Sequence, residues 1–198
     1  MVAVFQAVLI YLMFAGYAVA QSDTGLGALH DYLPPTGQTG TWRYVNTGQS
    51  FEIENIGDAN AIQYFYAAPD DDSEGQRTIE AEFIVFKAGD GSAGVLYGLN
   101  AARDRYHLLA LDGQGKLTLF RRDPTGFQAI VEQISSAFEP GKANRLTIIE
   151  QGDEIAFSLN GTALGAIAGA LFGYGSVGIA AIGDVHASFT YFAATANE

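Results

Sequence analysis

The chain has 198 residues, room for one domain of ordinary size, and its 48% hydrophobic and 16% charged content excludes general disorder. It contains no cysteine, so disulfides, thiolate metal sites and a cysteine nucleophile are excluded together. Lys and Arg total 10 against 22 for Asp and Glu, a net charge of −12 that repels nucleic-acid phosphates and the anionic face of a bilayer, arguing against both as partners.

Met1 to Ala20 carries no charged side chain, has an apolar middle and ends in Ala18-Val19-Ala20, a small-x-small cleavage pattern. The segment predicts a signal peptide and hence a secreted or periplasmic protein. No Lys or Arg stands near its start, and about 20 apolar residues also suffice to span a bilayer, so a retained anchor is the alternative reading. An exported chain without cysteine fits a bacterial envelope or secreted protein. Gln21 to Thr41, with Gly25, Gly27, Pro34, Pro35, Gly37 and Gly40, reads as a linker or irregular lead-in lying on the surface.

From Trp42 to residue 195 short alternating runs separated by turn residues predict one all-β domain, a two-sheet antiparallel jelly-roll sandwich. In Thr78 to Phe86, alternation sends Ile79, Ala81, Phe83 and Val85 inward and Glu80, Glu82 and Ile84 outward. A turn at Lys87 to Ser92 then predicts a hairpin with Ala93 to Asn100, where Val95, Tyr97 and Leu99 share one register. Tyr106 to Leu111 and Leu117 to Arg121 form the next hairpin around DGQGK, and DPTG leads into Phe127 to Ile134. Arg145 to Glu150 and Glu154 to Leu159 pair next, with Ile155, Phe157 and Leu159 inward. Asn160-Gly161 between two alternating runs is the strongest short hairpin signal, because both residues tolerate the positive φ of a type I′ turn. Ser176 to Ile182 and His186 to Ala194 close the domain, with Phe189 and Tyr191 on one face.

The stretches AGVLYGLN, DRYHLLALDGQGKLTLFRR and GKANRLTIIEQGDEIAFSLNG together resemble the concanavalin A-like lectin and glucanase superfamily, including its laminin-G-like jelly rolls. Within it they are most similar to the domain family named for 3-keto-disaccharide hydrolases. The matching positions are Gly94, Tyr106, Leu117, Arg121, Asn144, Arg145, Leu146, Gly152, Phe157, Asn160 and Gly161, and the likeness covers most of Trp42 to Ala194. The resemblance implies two antiparallel sheets, one of them curved, with carbohydrate commonly held on the concave face. Fold alone does not carry function.

Glucanases of this fold present catalytic acids along one strand, with the acid and nucleophile about 5 Å apart. Here Glu80 and Glu82 share a face without a third acid at the required spacing, so they read as strand carboxylates, with a glycoside hydrolase pair as the rival. His107, Arg103, Arg105 and Arg121 supply imidazole and guanidinium donors suited to a sugar groove, beside Tyr97. In Ile62 to Tyr66 the rings of Tyr64 and Tyr66 share one face, the best local hint of binding. Asp70, Asp71 and Asp72 read as a solvated turn, with a weak calcium site as the alternative. Gly173 to Gly178 fits a dinucleotide-binding glycine pattern but no helix follows it, and that reading is rejected. The expectation is therefore an exported, non-catalytic module without a cofactor that binds a glycan or surface polymer. A hydrolase using Glu80 or Glu82 and a structural or adhesive envelope protein are the alternatives.

Overall fold

The computed structural model describes residues 25–67, 76–87, 90–151, 154–168 and 175–197. The expected leader and the acidic run Asp70, Asp71 and Asp72 lie outside them. A 3-10 turn, Gly27–Tyr32, precedes the strands. These run in chain order as β1 (Gly37–Thr39), β2 (Trp42–Asn46), β3 (Phe51–Asn55), β4 (Ile62–Ala67), β5 (Gln76–Val85), β6 (Ser92–Leu99) and β7 (Tyr106–Asp112). There follow β8 (Lys116–Asp123), β9 (Gly126–Ile134), β10 (Asn144–Gln151), β11 (Glu154–Leu159), β12 (Thr162–Ala168), β13 (Ser176–Ile182) and β14 (His186–Asn197).

The strands make two antiparallel sheets that pack into a sandwich, as alternation predicts. One has eight strands in the order β1-β2-β3-β14-β5-β10-β11-β12, the other six in the order β4-β13-β6-β7-β8-β9. Between them lies the main core, with Phe51, Ile79, Phe83, Leu146 and Phe189 from the larger sheet against Val95, Leu109, Leu119 and Ile179 from the smaller. Ile79, Ala81, Phe83 and Val85 point inward, as do Ile155, Phe157 and Leu159. Asn160 and Gly161 have φ of 50° and 77°, the left-handed backbone that the turn requires.

Four expectations are corrected. The runs flanking Lys87 to Ser92 do not form a hairpin: β5 pairs with β10 and β14, whereas β6 pairs with β13 and β7. Alternation reports which face is buried and is silent about which partner a strand takes, so a crossing between sheets reads like a hairpin. Leu99 leaves the register of Val95 and Tyr97, because Gly98 at φ 66° accompanies a register shift and turns Leu99 onto the other face with Leu96. Phe189 and Tyr191 also part company. A register shift between them puts Phe189 and Phe192 both in the core and leaves Tyr191 outside under the Arg145 guanidinium, 4.8 Å from its ring centre. The lead-in is no surface linker where it is described, since Leu26, Leu29 and Leu33 join the core and the Phe192 N–H donates to the Gly25 carbonyl.

Candidate ligand-binding site

The six-stranded sheet is apolar on both faces, and the residues singled out in the sequence divide between them. Tyr97, His107 and Arg121 are direct cross-strand neighbours on β6, β7 and β8, and they share the inward phase of Val95, Leu109 and Leu119. Tyr97 and His107 stack with ring centres 4.9 Å apart and are 1% and 2% exposed. They are not surface donors lining a groove. They end the core at one side of the sandwich, beneath a buried ion pair contributed by the opposing sheet.

That pair is Arg77 on β5 and Glu150 on β10, directly opposite each other in register. The guanidinium grips both carboxylate oxygens at 2.6 and 3.1 Å and donates a third bond to the Gly175 carbonyl at 3.1 Å. Burial, and then the Glu150 charge, raises the Tyr97 hydroxyl above its ordinary range, and that hydroxyl finds no hydrogen-bond partner among the described residues. Burial, and then the Arg121 charge, lowers His107 to about 4, so its ring is neutral at neutral pH. Arg121 Nε lies 3.3 Å from an Asp123 oxygen. Sequence reasoning missed Arg77 and Glu150. The signal was present: each carries its charge in the inward phase of an otherwise apolar alternation.

The outer face of the same sheet is different in kind. Leu96, Leu99, Leu108 and Ala180 are buried there under a row of rings from Tyr64, Tyr66, Tyr106, Phe120 and Phe127. Ring centres are 6.1 Å apart for Tyr64 and Tyr66, 5.6 Å for Tyr64 and Tyr106, 6.5 Å for Tyr106 and Phe127 and 5.0 Å for Phe120 and Phe127. All but Tyr106 are half-buried, so their edges meet solvent. Two glycines bring the strands into close contact on this face. A Cβ on Gly178 would run into the Phe65 carbonyl oxygen, and one on Gly94 into that of Leu109.

Arginines gather at one end of this platform. Arg103, held at φ 59° in the β6–β7 loop, places its guanidinium 5.4 Å from the Tyr66 ring centre. The Asn100 side chain fixes the loop, its oxygen accepting from the N–H groups of Asp104 and Arg105 at 3.1 Å each. Arg105 is exposed beside the start of β7, and Arg122 stands opposite Tyr106 in register. The Tyr106 hydroxyl is raised by burial and by Tyr64, and Arg122 partly offsets this. The sequence reading named Tyr64, Tyr66, Arg103 and Arg105 for binding and overlooked Tyr106, Phe120, Phe127 and Arg122. The overlooked signal is that Tyr106-His107-Leu108-Leu109-Ala110-Leu111 is apolar in both phases, which marks a strand covered on both sides.

Glu80 and Glu82 project from the outer face of the eight-stranded sheet. Glu82 holds Arg145 at 3.2 Å and accepts from the Thr190 hydroxyl, and Glu80 accepts from the Thr147 hydroxyl at 3.3 Å. Neither adjoins the aromatic platform. Among the described residues no group of three or more His, Asp or Glu side chains is placed to hold a metal ion.

A two-layer antiparallel sandwich of this kind has counterparts among solved structures. The carbohydrate-binding module CBM66 from Bacillus subtilis superposes with a TM-score of 0.62 at 16% identity, covering 80% of this chain and 92% of that one. The fold is a two-sheet jelly roll. A protein of unknown function with a galectin-like fold, also from Bacillus subtilis, matches at 0.58 and 12% identity over 79% of this chain and 87% of the other. The GH43 protein BlXynB from Bacillus licheniformis matches at 0.59 and 13% identity, covering 86% of this chain and 39% of its own length. No family model and no curated protein matches the sequence. At these identities the likeness establishes the jelly roll, consistent with a concanavalin A-like sandwich, and leaves the site to be argued from its own residues.

Proposed function

We propose that this jelly roll is an exported, non-catalytic carbohydrate-binding module whose binding surface is the outer face of the six-stranded sheet. The observation that carries the reading is the continuous row of Tyr66, Tyr64, Tyr106, Phe127 and Phe120, each ring centre within 6.5 Å of the next, on a sheet face where a two-layer sandwich needs no rings. A sugar ring is apolar on its C–H face and polar at its rim, so it stacks on such rings while tyrosine hydroxyls and guanidinium groups meet its edge. The solved neighbours support a carbohydrate-binding role through the CBM66 module. Export, to the periplasm or beyond the cell, is supported by the uncharged apolar segment Met1 to Ala20 and its Ala-Val-Ala end. The finer resemblance to the 3-keto-disaccharide hydrolase domain family is part of this reading as ancestry of the fold.

Binding here is separate from the Glu80 and Glu82 carboxylates, which face away on the other sheet and are engaged by Arg145, Thr190 and Thr147. A glycan array with the mature chain, run beside a panel of chromogenic glycosides, tests both halves. The expected result is binding lost in Tyr64→Ala and Phe120→Ala, with no chromophore released. Turnover abolished by Glu82→Gln would replace the proposal with the hydrolase reading. Array binding that survives both aromatic substitutions would remove the site from this face.

A further inference from the structure

The arrangement of positive charge around the aromatic platform points to a narrower ligand class, and this inference rests on the carbohydrate-binding reading just given. Seven of the 10 Lys and Arg side chains hold a carboxylate at distances between 2.5 and 3.3 Å. The remaining three are Arg103, Arg105 and Arg122, for which no carboxylate partner exists among the described residues. All three stand at one end of the platform, where β6 turns into β7 and β8 ends beside it. In a chain of net charge −12, pairing is the easy outcome for an arginine, and three at one place with no carboxylate partner among the described residues are a local departure from the charge of the whole.

The nearby acids are turned elsewhere. Asp104, between Arg103 and Arg105 in the loop, accepts from the Asn100 side chain at 2.7 Å. Asp123, next to Arg122, takes the Thr125 N–H at 2.8 Å, the Thr125 hydroxyl and the Arg121 guanidinium. Neither neutralises the cations over the rings. Arg103 lies against the Tyr66 face, so its planar fork is held at the platform edge with its N–H groups free for a second partner. Arg122 stands between Tyr106 and Phe127 in register, on the same outward phase as Phe120.

We infer that the platform takes an acidic polysaccharide, one whose sugar rings stack on Tyr64, Tyr66 and Tyr106 while carboxylate or sulfate groups along the chain meet Arg103 and Arg122, with Arg105 reinforcing the field. Guanidinium groups bind both anions in two-pronged geometry, and such charge-assisted bonds are about twice as strong as neutral ones. The overall negative charge of the protein repels polyanions, so binding of one reports a local complement and not bulk attraction.

The test is titration calorimetry of the mature chain against two matched pairs of polymers: polygalacturonate with its fully methyl-esterified form, and dextran sulfate with dextran. The first pair isolates a carboxylate, the second a sulfate. The expected result is that in at least one pair the charged member binds roughly tenfold or more tighter than the neutral one. The preference should weaken as salt rises and disappear in Arg103→Gln/Arg122→Gln, while Tyr64→Ala weakens binding of both members. Equal binding within both pairs, or preference for the neutral members, overturns the acidic class and leaves the carbohydrate reading standing. A charged preference that survives the double arginine substitution overturns the assignment to these residues. Failure to bind either pair, together with a silent glycan array, removes both inferences at once. Both arginines are exposed or at a strand end, and a matching thermal melt confirms that the variant is folded.

Discussion

The buried pair of Arg77 and Glu150 gives the sharpest stability prediction. The two side chains are 9% and 13% exposed, meet through two hydrogen bonds, and Arg77 also donates to the Gly175 carbonyl. Replacing Arg77 by Met keeps most of the volume but strands a carboxylate in the end of the core. Breaking a buried pair from one side costs about 3–5 kcal/mol, because the remaining charge keeps its desolvation penalty and loses its partner. For a domain of this size each kcal/mol moves the midpoint by about 2–4 °C, so Arg77→Met should melt roughly 6–20 °C below the parent. The double variant Arg77→Met/Glu150→Leu removes both charges together and should recover to within about 2 kcal/mol, the residue being the unpaired Gly175 carbonyl. Urea unfolding of the parent, both single variants and the double closes the thermodynamic cycle. A cost below about 1 kcal/mol for Arg77→Met, or a double variant as unstable as the single, would show that water reaches the pair and that the end of the core is open.

His107, lowered to about 4 by burial and then by Arg121, is protonated in the unfolded chain near its ordinary 6.5 but not in the native one. The unfolded state therefore binds more protons across that window, and stability is lost as pH falls through it, by roughly 3 kcal/mol. Urea unfolding across that pH range should show this loss in the parent and a flatter profile in His107→Phe. Gly178→Ala drives a methyl into the Phe65 carbonyl oxygen and to within 2.7 Å of the Tyr66 Cα, so it should destabilise by about 1–3 kcal/mol in a thermal melt and loosen β4 from β13. Asn144, 1% exposed, bonds the Glu139 N–H, the Glu139 and Lys142 carbonyls and the Asn160 amide, each at 2.9 Å. Asn144→Ala removes this buried hub and its four hydrogen bonds to exposed loop residues, and should cost about 1–3 kcal/mol by urea unfolding.

The Asn144 network also explains why part of the sequence was legible. Three of the positions that carried the resemblance, Asn144, Arg145 and Asn160, form one clamp. Asn160 donates to Asn144 and to the Ala137 carbonyl, accepts from the Arg145 N–H, and returns its own N–H to the Arg145 carbonyl. Short motifs of this kind survive because turn backbone and buried amides constrain residue type locally. Strand periodicity is equally local, which is why inward faces such as Ile79 to Val85 were read correctly. The features that escaped depend on nonlocal geometry. A bulge at Gly98 or between Phe189 and Tyr191 inverts the phase of everything beyond it, and no period within one strand announces it. The choice of partner sheet for β5 and β6 is likewise made by the rest of the chain.

The candidate site was half legible for a related reason. In the eight-stranded sheet the outward phase is polar, as Glu52 and Glu54 on β3 and Glu80 and Glu82 on β5 show, and alternation there separates core from solvent cleanly. In the six-stranded sheet the outward phase of β6, β7 and β8 is Leu96, Leu108 and Phe120, so β6 and most of β7 are buried in both phases and alternation vanishes. Read along one strand, that loss looks like a deeper core and does not separate the two faces, so His107 and Arg121, chosen for their donor groups, enter the binding list although both face inward. The second apolar face becomes visible only when the two-layer topology is known, because in a two-layer sandwich no third layer exists to bury it. The row of rings on the outside of this sheet, with tyrosine hydroxyls among them and at their edge arginines that have no carboxylate partner among the described residues, is what the proposed binding surface rests on.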